Sequence, residues 1–241
     1  MGGMIRAVVF DFDGVIADTE PLHLRAANAA LASNGALVAH AARTERDVAV
    51  SEAEFYGRLM GLSDAAFFER VLTERGLTAG DGVVAGLLAA KNAAYVAIAE
   101  REVRPLPGVV EFVRAAAARG PTAVCSGARR VEIEMLLGRF GIADCIRTVV
   151  GIEDAGVSKP DPTGYRMTLA RLRGMGWANL AAGECLVIED SVHGVAAAKA
   201  AGMRVLAVRT QARAKEPVGA DAVVAGLAGL TVAVAVGLVG E

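Results

Sequence analysis

Two carboxylates interrupt the apolar run VVFDFDG at residues 8–14: Asp11 and Asp13 stand where a strand-like segment ends. Side chains two apart in an extended chain point to one side, so both acids can reach a single pocket beyond the strand. Two anions at that spacing repel and need a cation, a shared proton or hydrogen-bond donors. The alternative is that Asp and Gly14 simply terminate the strand, with Asp13 part of the turn.

Residues further along decide between these readings. TAVCSG ends in Ser126 and Gly127, ECLVIED ends in Glu189 and Asp190, and the loop SKPDP between them carries Lys159. Asp11, Asp13, Glu189 and Asp190 offer the hard oxygen ligands that Mg²⁺ prefers, and no His or Cys joins them to suggest zinc. The Ser126 hydroxyl, with backbone N–H groups near a helix start, can hold phosphate oxygens. Lys159 adds a compact positive charge for both a phosphate and an acidic nucleophile. A carboxylate held against a phosphoryl group in this way can attack phosphorus and form an aspartyl-phosphate. The second acid then protonates the leaving oxygen and later deprotonates the attacking water. This division of labour needs one acid ionised and the other protonated, a split that differing environments produce.

The elements that must position these groups alternate. From Pro105 onward GVVEFVRAAAARG, RVEIEMLLGRFG, TGYRMTLARLRG and SVHGVAAAKAAG have helical spacing, and TAVCSG, TVVGI, ECLVIED and VLAVRT read as strands. Such alternation predicts an α/β fold, an open parallel Rossmann-like sheet with helices on both faces and a site at the carboxyl ends of its strands. Between residues 19 and 104 the chain is helical instead. HLRAANAALASNG, EAEFYGRLMG, DAAFFERVLTERG and VAGLLAAKNAAYVAIAERE carry apolar residues at helical spacing, with polar starts or terminal glycines. We therefore expect a core of residues 1–18 and 105–241 interrupted by an all-helical domain of residues 19–104, whose aromatic residues face its own interior.

Composition narrows the functional classes. In 241 residues the net charge is −2, with charges interspersed apart from clusters such as RTERD and REVR, so nothing favours nucleic acid. Cys125, Cys145 and Cys185 lack metal-ligand spacing and suit reduced thiols in the cytoplasm. MGGMIRAVVFDFDG meets acid before a signal core forms, which predicts no export. The uncharged tail from Ala222 to Gly240 has the length of a membrane span. Its few large side chains, Thr231 and the lack of basic flanks favour a buried final strand, AVV, and a short packed helix or strand. No feature sets an oligomeric state, and a monomer is compatible with all of them.

The motifs DFDGVIADTE, LPGV, CSG, SKPDP, VIEDSVHGVAAAKAAGM and ADAVV, in that order, make the chain resemble the haloacid dehalogenase-superfamily phosphohydrolases with a helical cap. Within them it is most similar to the β-phosphoglucomutase and phosphoglycolate phosphatase group. The resemblance implies Asp11 as nucleophile and Asp13 as general acid/base, with Ser126, Gly127 and Lys159 binding the transferring phosphoryl group. It implies Mg²⁺ held by Asp190, Asp11 and the main-chain carbonyl of Asp13, with Glu189 as a further ligand or an outer acid that orients water. It also implies cap hinges near Thr19 and at Pro105 to Gly108, closure over the substrate, and no dehalogenase chemistry, since Asp13 and the Glu189–Asp190 pair are present.

The expected activity is a Mg²⁺-dependent phosphomonoester hydrolase acting on a small phosphorylated metabolite, foremost a sugar phosphate; the alternative is a sugar-phosphate mutase. Mutases of the group carry a cap arginine where GLSD here has Asp64, an acid that would repel a second phosphate. His23 and Arg129 stand at mutase-like positions as candidate substrate contacts, Arg129 for a distal anion. Arg130 and His193 read as surface residues, Thr163 departs from the acid frequent in its loop, and Cys125 reads as strand packing.

Overall fold

Six short β-branched runs pair into one parallel sheet in the order β3-β2-β1-β4-β5-β6. They are β1 (Ala7–Phe10), β2 (Thr122–Cys125), β3 (Thr148–Val150), β4 (Cys185–Glu189), β5 (Arg204–Val208) and β6 (Ala222–Val224). The computed structural model describes residues 4–44, 47–59, 62–78, 81–210 and 217–240. Glu45 and Arg46 of the RTERD cluster, and Met60 and Gly61 at the end of EAEFYGRLMG, lie outside them. The chain divides into two compact units, Met1–Asp18 with Arg104–Glu241, and Thr19–Val103.

In the sheet unit, β1 is central, with Val9 in register with Ala123 on one side and Val187 on the other. Strands β1 to β4 are buried throughout, as parallel strands covered on both faces must be. The sheet is flanked by α6 (Val109–Ala117), α7 (Arg130–Arg139), α8 (Ile152–Ala155), α9 (Thr163–Gly174), α10 (Val192–Ala200) and α11 (Val232–Val239). Alternation along each strand sorts the core. Val9, Cys125, Val187 and Val205 join Tyr165, Leu169 and Leu172 of α9 and Val195 and Ala198 of α10 in one cluster. Phe10, on the other face, meets Phe112 of α6 edge-on with centroids 6.2 Å apart. Burying a side chain of this size contributes about 1.5–3 kcal/mol, so these layers fix the strand ends firmly.

The same alternation has a consequence for chemistry. Glu189 shares the parity of Cys185 and Val187, so it emerges from β4 on the face covered by α9 and α10. The turn that follows β1 contains Gly14, whose φ of 74° lies in the left-handed region, and the Gly14 N–H donates to the Ala17 carbonyl at 2.8 Å. The Thr210 hydroxyl donates to the Gly14 carbonyl. Ala17 also bridges to Asp13 and to Pro105, and the Leu106 N–H donates to the Ile16 carbonyl at 2.8 Å.

The tail departs from expectation at one point. Strand β6 is not buried; it is an edge strand with Val223 40% exposed, because no strand among the described residues pairs with its outer side. It is followed by α11, capped by Thr231, whose hydroxyl accepts from the Val234 N–H. At about 1.5 Å per residue, eight residues fall far short of a bilayer.

The helical unit contains α1 (Glu20–Ser33), α2 (Gly35–Thr44), α3 (Glu52–Glu54), α4 (Asp64–Glu74) and α5 (Asp81–Glu102), with a π-helical stretch at Phe55–Leu59. Helix α2 was not anticipated, because of its own residues only Leu37 is buried and its apolar stripe is short. Ser51 forms a capping box with Glu54, and Ser63 caps α4 by accepting from the Ala66 N–H. Leu24, Leu31, Phe55, Phe67, Phe68 and Leu87 anchor the interior, where the aromatic rings meet edge to face. Residues Gly82–Glu102 are long and apolar enough to cross a membrane by length and composition alone. In the structure they supply Val84, Leu87, Tyr95 and Ala99 to the buried residues.

Candidate active site

Asp11, Asp13, Ser126, Lys159, Glu189 and Asp190 converge at the carboxyl ends of β1, β2 and β4. Asp11 follows β1 directly, and its N–H still belongs to the sheet, donating to the Ile188 carbonyl at 2.9 Å. Its Oδ1 accepts from the Phe12 N–H at 2.7 Å and stands 3.0 Å from Lys159 Nζ. Among the described residues no hydrogen bond falls on Oδ2, the oxygen left for other chemistry. Asp13 is half-buried, with Oδ2 3.5 Å from the Ser126 hydroxyl oxygen. Ser126 Oγ also accepts from the Ala128 N–H at 3.2 Å, which sets the turn leading into α7.

Glu189 is the most heavily engaged group. Oε1 accepts from Lys159 Nζ at 2.7 Å and from the Tyr165 hydroxyl at 3.0 Å. Oε2 accepts from the N–H groups of Asp190 and Ser191 at 2.8 and 2.9 Å and from the Ser191 hydroxyl at 3.1 Å. Ser191 at the same time caps α10, accepting from the Gly194 N–H at 2.9 Å. Five donors exceed the roughly four lone-pair directions of a carboxylate. Gly194 completes the seat: a Cβ there would lie 1.5 Å from Glu189 Oε1. Lys159, whose peptide bond to Pro160 is cis, thus lies between two acids and 5.2 Å from the centroid of the Tyr165 ring.

Electrostatics follow from this geometry. Burial pushes the Asp11 carboxyl up to about 7 against the pull of Lys159. Asp190 is driven further, to about 9, by burial and then by Asp11 and Glu189. Burial opposes ionisation of Glu189 as well, but Lys159 and the remaining donors hold it below the usual carboxylate range. The Lys159 ammonium resists desolvation because Asp11 and Glu189 keep its proton well above the ordinary lysine value. The Tyr165 hydroxyl, buried and beside Glu189, is likewise raised and stays a donor.

One carboxylate oxygen each from Asp11, Glu189 and Asp190 lie within 4.8 Å of one another. Three buried acids so close are what a divalent cation offsets, and oxygen-only donors suit a hard ion. Glu189 is saturated by its donors, whereas the Asp190 carboxylate takes no hydrogen bond from the described residues. The donor set therefore fits a hard divalent cation through Asp11 and Asp190 better than through Glu189.

The other sequence candidates are distributed differently. Gly127 is exposed next to Ser126. Arg129 is the N-cap of α7, 52% exposed and 3.9 Å from Glu132, whereas Arg130 is tied to Asp154 at 3.2 Å. Thr163 opens α9, and its N–H donates to Asp161 at 2.8 Å. His193 is exposed, and burial pushes the Cys125 thiol up to about 11.

His23 belongs to the helical unit, where it stacks on Tyr95 at 4.4 Å with planes 10° apart. In that unit Asp64 is not an isolated acid. Lys91 Nζ donates to it at 2.7 Å and lies 5.6 Å from the Tyr95 ring centroid. The expected repulsion at Asp64 is therefore largely cancelled by a lysine 27 positions away. Tyr165, Gly194 and Lys91 escaped the sequence reading. Only Gly194, a glycine inside a helical pattern, left a local signal.

The family description haloacid dehalogenase-like hydrolase matches residues 5–202. The chain is 30% identical over 207 residues to protein CbbY of Rhodobacter capsulatus, covering 84% of each. It is 32% identical over 216 residues to the phosphoglycolate phosphatase of Rhodospirillum rubrum, covering 89% of this chain and 83% of that one. Among solved structures, CbbY from Rhodobacter sphaeroides in complex with phosphate superposes with a TM-score of 0.77 at 26% identity, covering 95% of this chain and 98% of that one.

Proposed function

The chain belongs to the haloacid dehalogenase-like hydrolases and is a phosphatase of a phosphorylated metabolite, and we propose that it moves the phosphoryl group first to Asp11 and then to water. The observation that carries this reading is Lys159, held 3.0 Å from Asp11 and 2.7 Å from Glu189 beside Asp190. Similarity to CbbY and to a phosphoglycolate phosphatase supports a small substrate, with a sugar phosphate as the leading class.

In this mechanism Asp11 Oδ2 is the nucleophile, since Oδ1 is taken by Phe12 N–H and Lys159. Lys159 and the Ser126 hydroxyl bind the non-bridging oxygens, and Lys159 also favours the ionised form of Asp11. Asp13 protonates the leaving oxygen and afterwards takes a proton from the water that hydrolyses the aspartyl-phosphate. Asp11, Asp190 and the main-chain carbonyl of Asp13 would hold Mg²⁺, which when bound offsets the charge of the buried acids and of the phosphoryl group. Glu189 works from behind as the acceptor that fixes Lys159. The helical unit acts as the cap, hinged near residues 18–19 and 103–108, and excludes water during transfer. His23 of the helical unit and Arg129 of the sheet unit are the candidate contacts to the rest of the substrate.

Hydrolysis is favoured over a mutase cycle by the Lys91–Asp64 pair, which leaves that part of the helical unit close to neutral. The test is phosphate release from a panel of phosphorylated sugars and short acids, with Mg²⁺ and with chelator, alongside β-glucose 1-phosphate and its bisphosphate activator. Metal-dependent release of free phosphate is the expected result. Isomerised sugar phosphate without free phosphate would overturn the hydrolase reading.

A further inference from the structure

Tyr165 is fully buried in the first turn of α9, yet it carries a hydroxyl, in a core cluster otherwise built of aliphatic and small residues. A buried phenol costs stability unless its oxygen finds a partner, and here the partner is Glu189 Oε1 at 3.0 Å. That same oxygen accepts from Lys159 Nζ at 2.7 Å. The face of the Tyr165 ring stands 5.2 Å from the same ammonium, within the range of a cation–π contact. One side chain therefore touches both members of the ion pair, and it also lines the small cavity of about 20 Å³ bounded by Ser126, Gly127 and Lys159.

We infer that Tyr165 is a positioning residue: its hydroxyl anchors the Oε1 end of the Glu189 carboxylate and its ring closes one side of Lys159, so that the ammonium is aimed at Asp11 and the phosphoryl oxygens. A lysine side chain has four rotatable bonds and three donors. Asp11 and Glu189 define only two of those directions, at 3.0 and 2.7 Å. The ring occupies the flank from which another acceptor would draw Nζ away. Without the hydroxyl, three donors still hold Glu189 Oε2, but Oε1 keeps Lys159 as its single partner, and that end of the carboxylate gains freedom to shift with the ammonium. The inference rests on the proposed phosphoryl chemistry for its importance, but its geometry can be tested by phosphate binding alone.

The experiment compares wild-type, Tyr165→Phe and Tyr165→Leu proteins for inorganic phosphate affinity by calorimetry with Mg²⁺, for kcat and KM on the best ester of the panel, and for melting temperature. Tyr165→Phe should weaken phosphate binding about tenfold, the size expected for misaligning one charge-assisted hydrogen bond. Tyr165→Leu, which also removes the ring, should weaken it further. A purely structural role would lower the melting temperature and leave the phosphate affinity of the folded protein unchanged, and that result overturns the inference. Equal affinities for the Phe and Leu variants would overturn the part assigned to the ring. If the wild-type protein binds phosphate but hydrolyses no ester, the catalytic reading fails while the affinity ratio still decides the role of Tyr165.

Discussion

The α-carbon of Gly194 faces the Glu189 carboxylate so closely that a single added methyl would stand 1.5 Å from Oε1 and 2.0 Å from Cδ. The glycine in α10 is thus a condition for the acid at the end of β4. Gly194→Ala must push Glu189 off its five donors or distort the start of the helix. We predict a loss of stability of about 2–4 kcal/mol, combining overpacking with a disturbed buried ion pair. Turnover should fall with it; a variant that unfolds at the wild-type urea midpoint with wild-type kcat would refute the tight seat.

Asp11→Asn keeps the shape of the side chain and deletes the nucleophile. Turnover is expected to fall by at least about a thousandfold, with the fold retained. Circular dichroism and phosphate release measured on the same preparation check this, and near-normal turnover would remove Asp11 from the mechanism.

Stability of the metal-free protein should depend on pH in a direction that the buried acids set. Asp11 and Asp190 are raised from 3.8 to about 7 and about 9. Between those values the folded chain holds protons that the unfolded chain has released, so raising pH weakens the fold. Their contribution is fully present below about pH 4 and is lost as pH climbs through 7 and then 9. Urea unfolding in chelator across this range should show Asp190→Asn gaining on wild type as pH rises, and Mg²⁺ should narrow the gap. A difference independent of pH would contradict the assignment.

The Lys91–Asp64 pair makes an asymmetric prediction. Lys91 is only 6% exposed in its side chain, whereas Asp64 is 47% exposed. Asp64→Ala strands a buried ammonium and should cost about 1–3 kcal/mol. Lys91→Met leaves the carboxylate in water and should cost less. Thermal unfolding of the two variants settles the order, and the reverse order would mean that Lys91 has another source of support.

These residues also mark how far the sequence could be read. Asp11, Ser126, Glu189 and Asp190 were legible because each ends an apolar run, and a parallel sheet brings such ends together. Lys159 was legible from its loop alone. The full donor set of Glu189 was not: three donors come from Asp190 and Ser191 beside it, but Lys159 and Tyr165 come from the 159 loop and α9, and only the packed structure brings these two to the carboxylate. Asp64 looked like a lone acid because its partner lies one helix away. Helix α2 was missed for want of a buried stripe, and the exposure of β6 depends on its edge position, which no local pattern encodes.

The pairing of Ala17 with Pro105 in the sheet unit bears on inheritance as well as on chemistry. The chain leaves this unit and re-enters it at neighbouring points of one short ladder, so the excursion over Thr19–Val103 is closed within the host unit itself. Loop-closure cost grows only slowly with length, and segments of quite different size can be spliced at such a junction with little penalty to the host. The catalytic half can stay constant while whole inserts are exchanged, which makes residues 18 and 104 natural joints for building chimaeras.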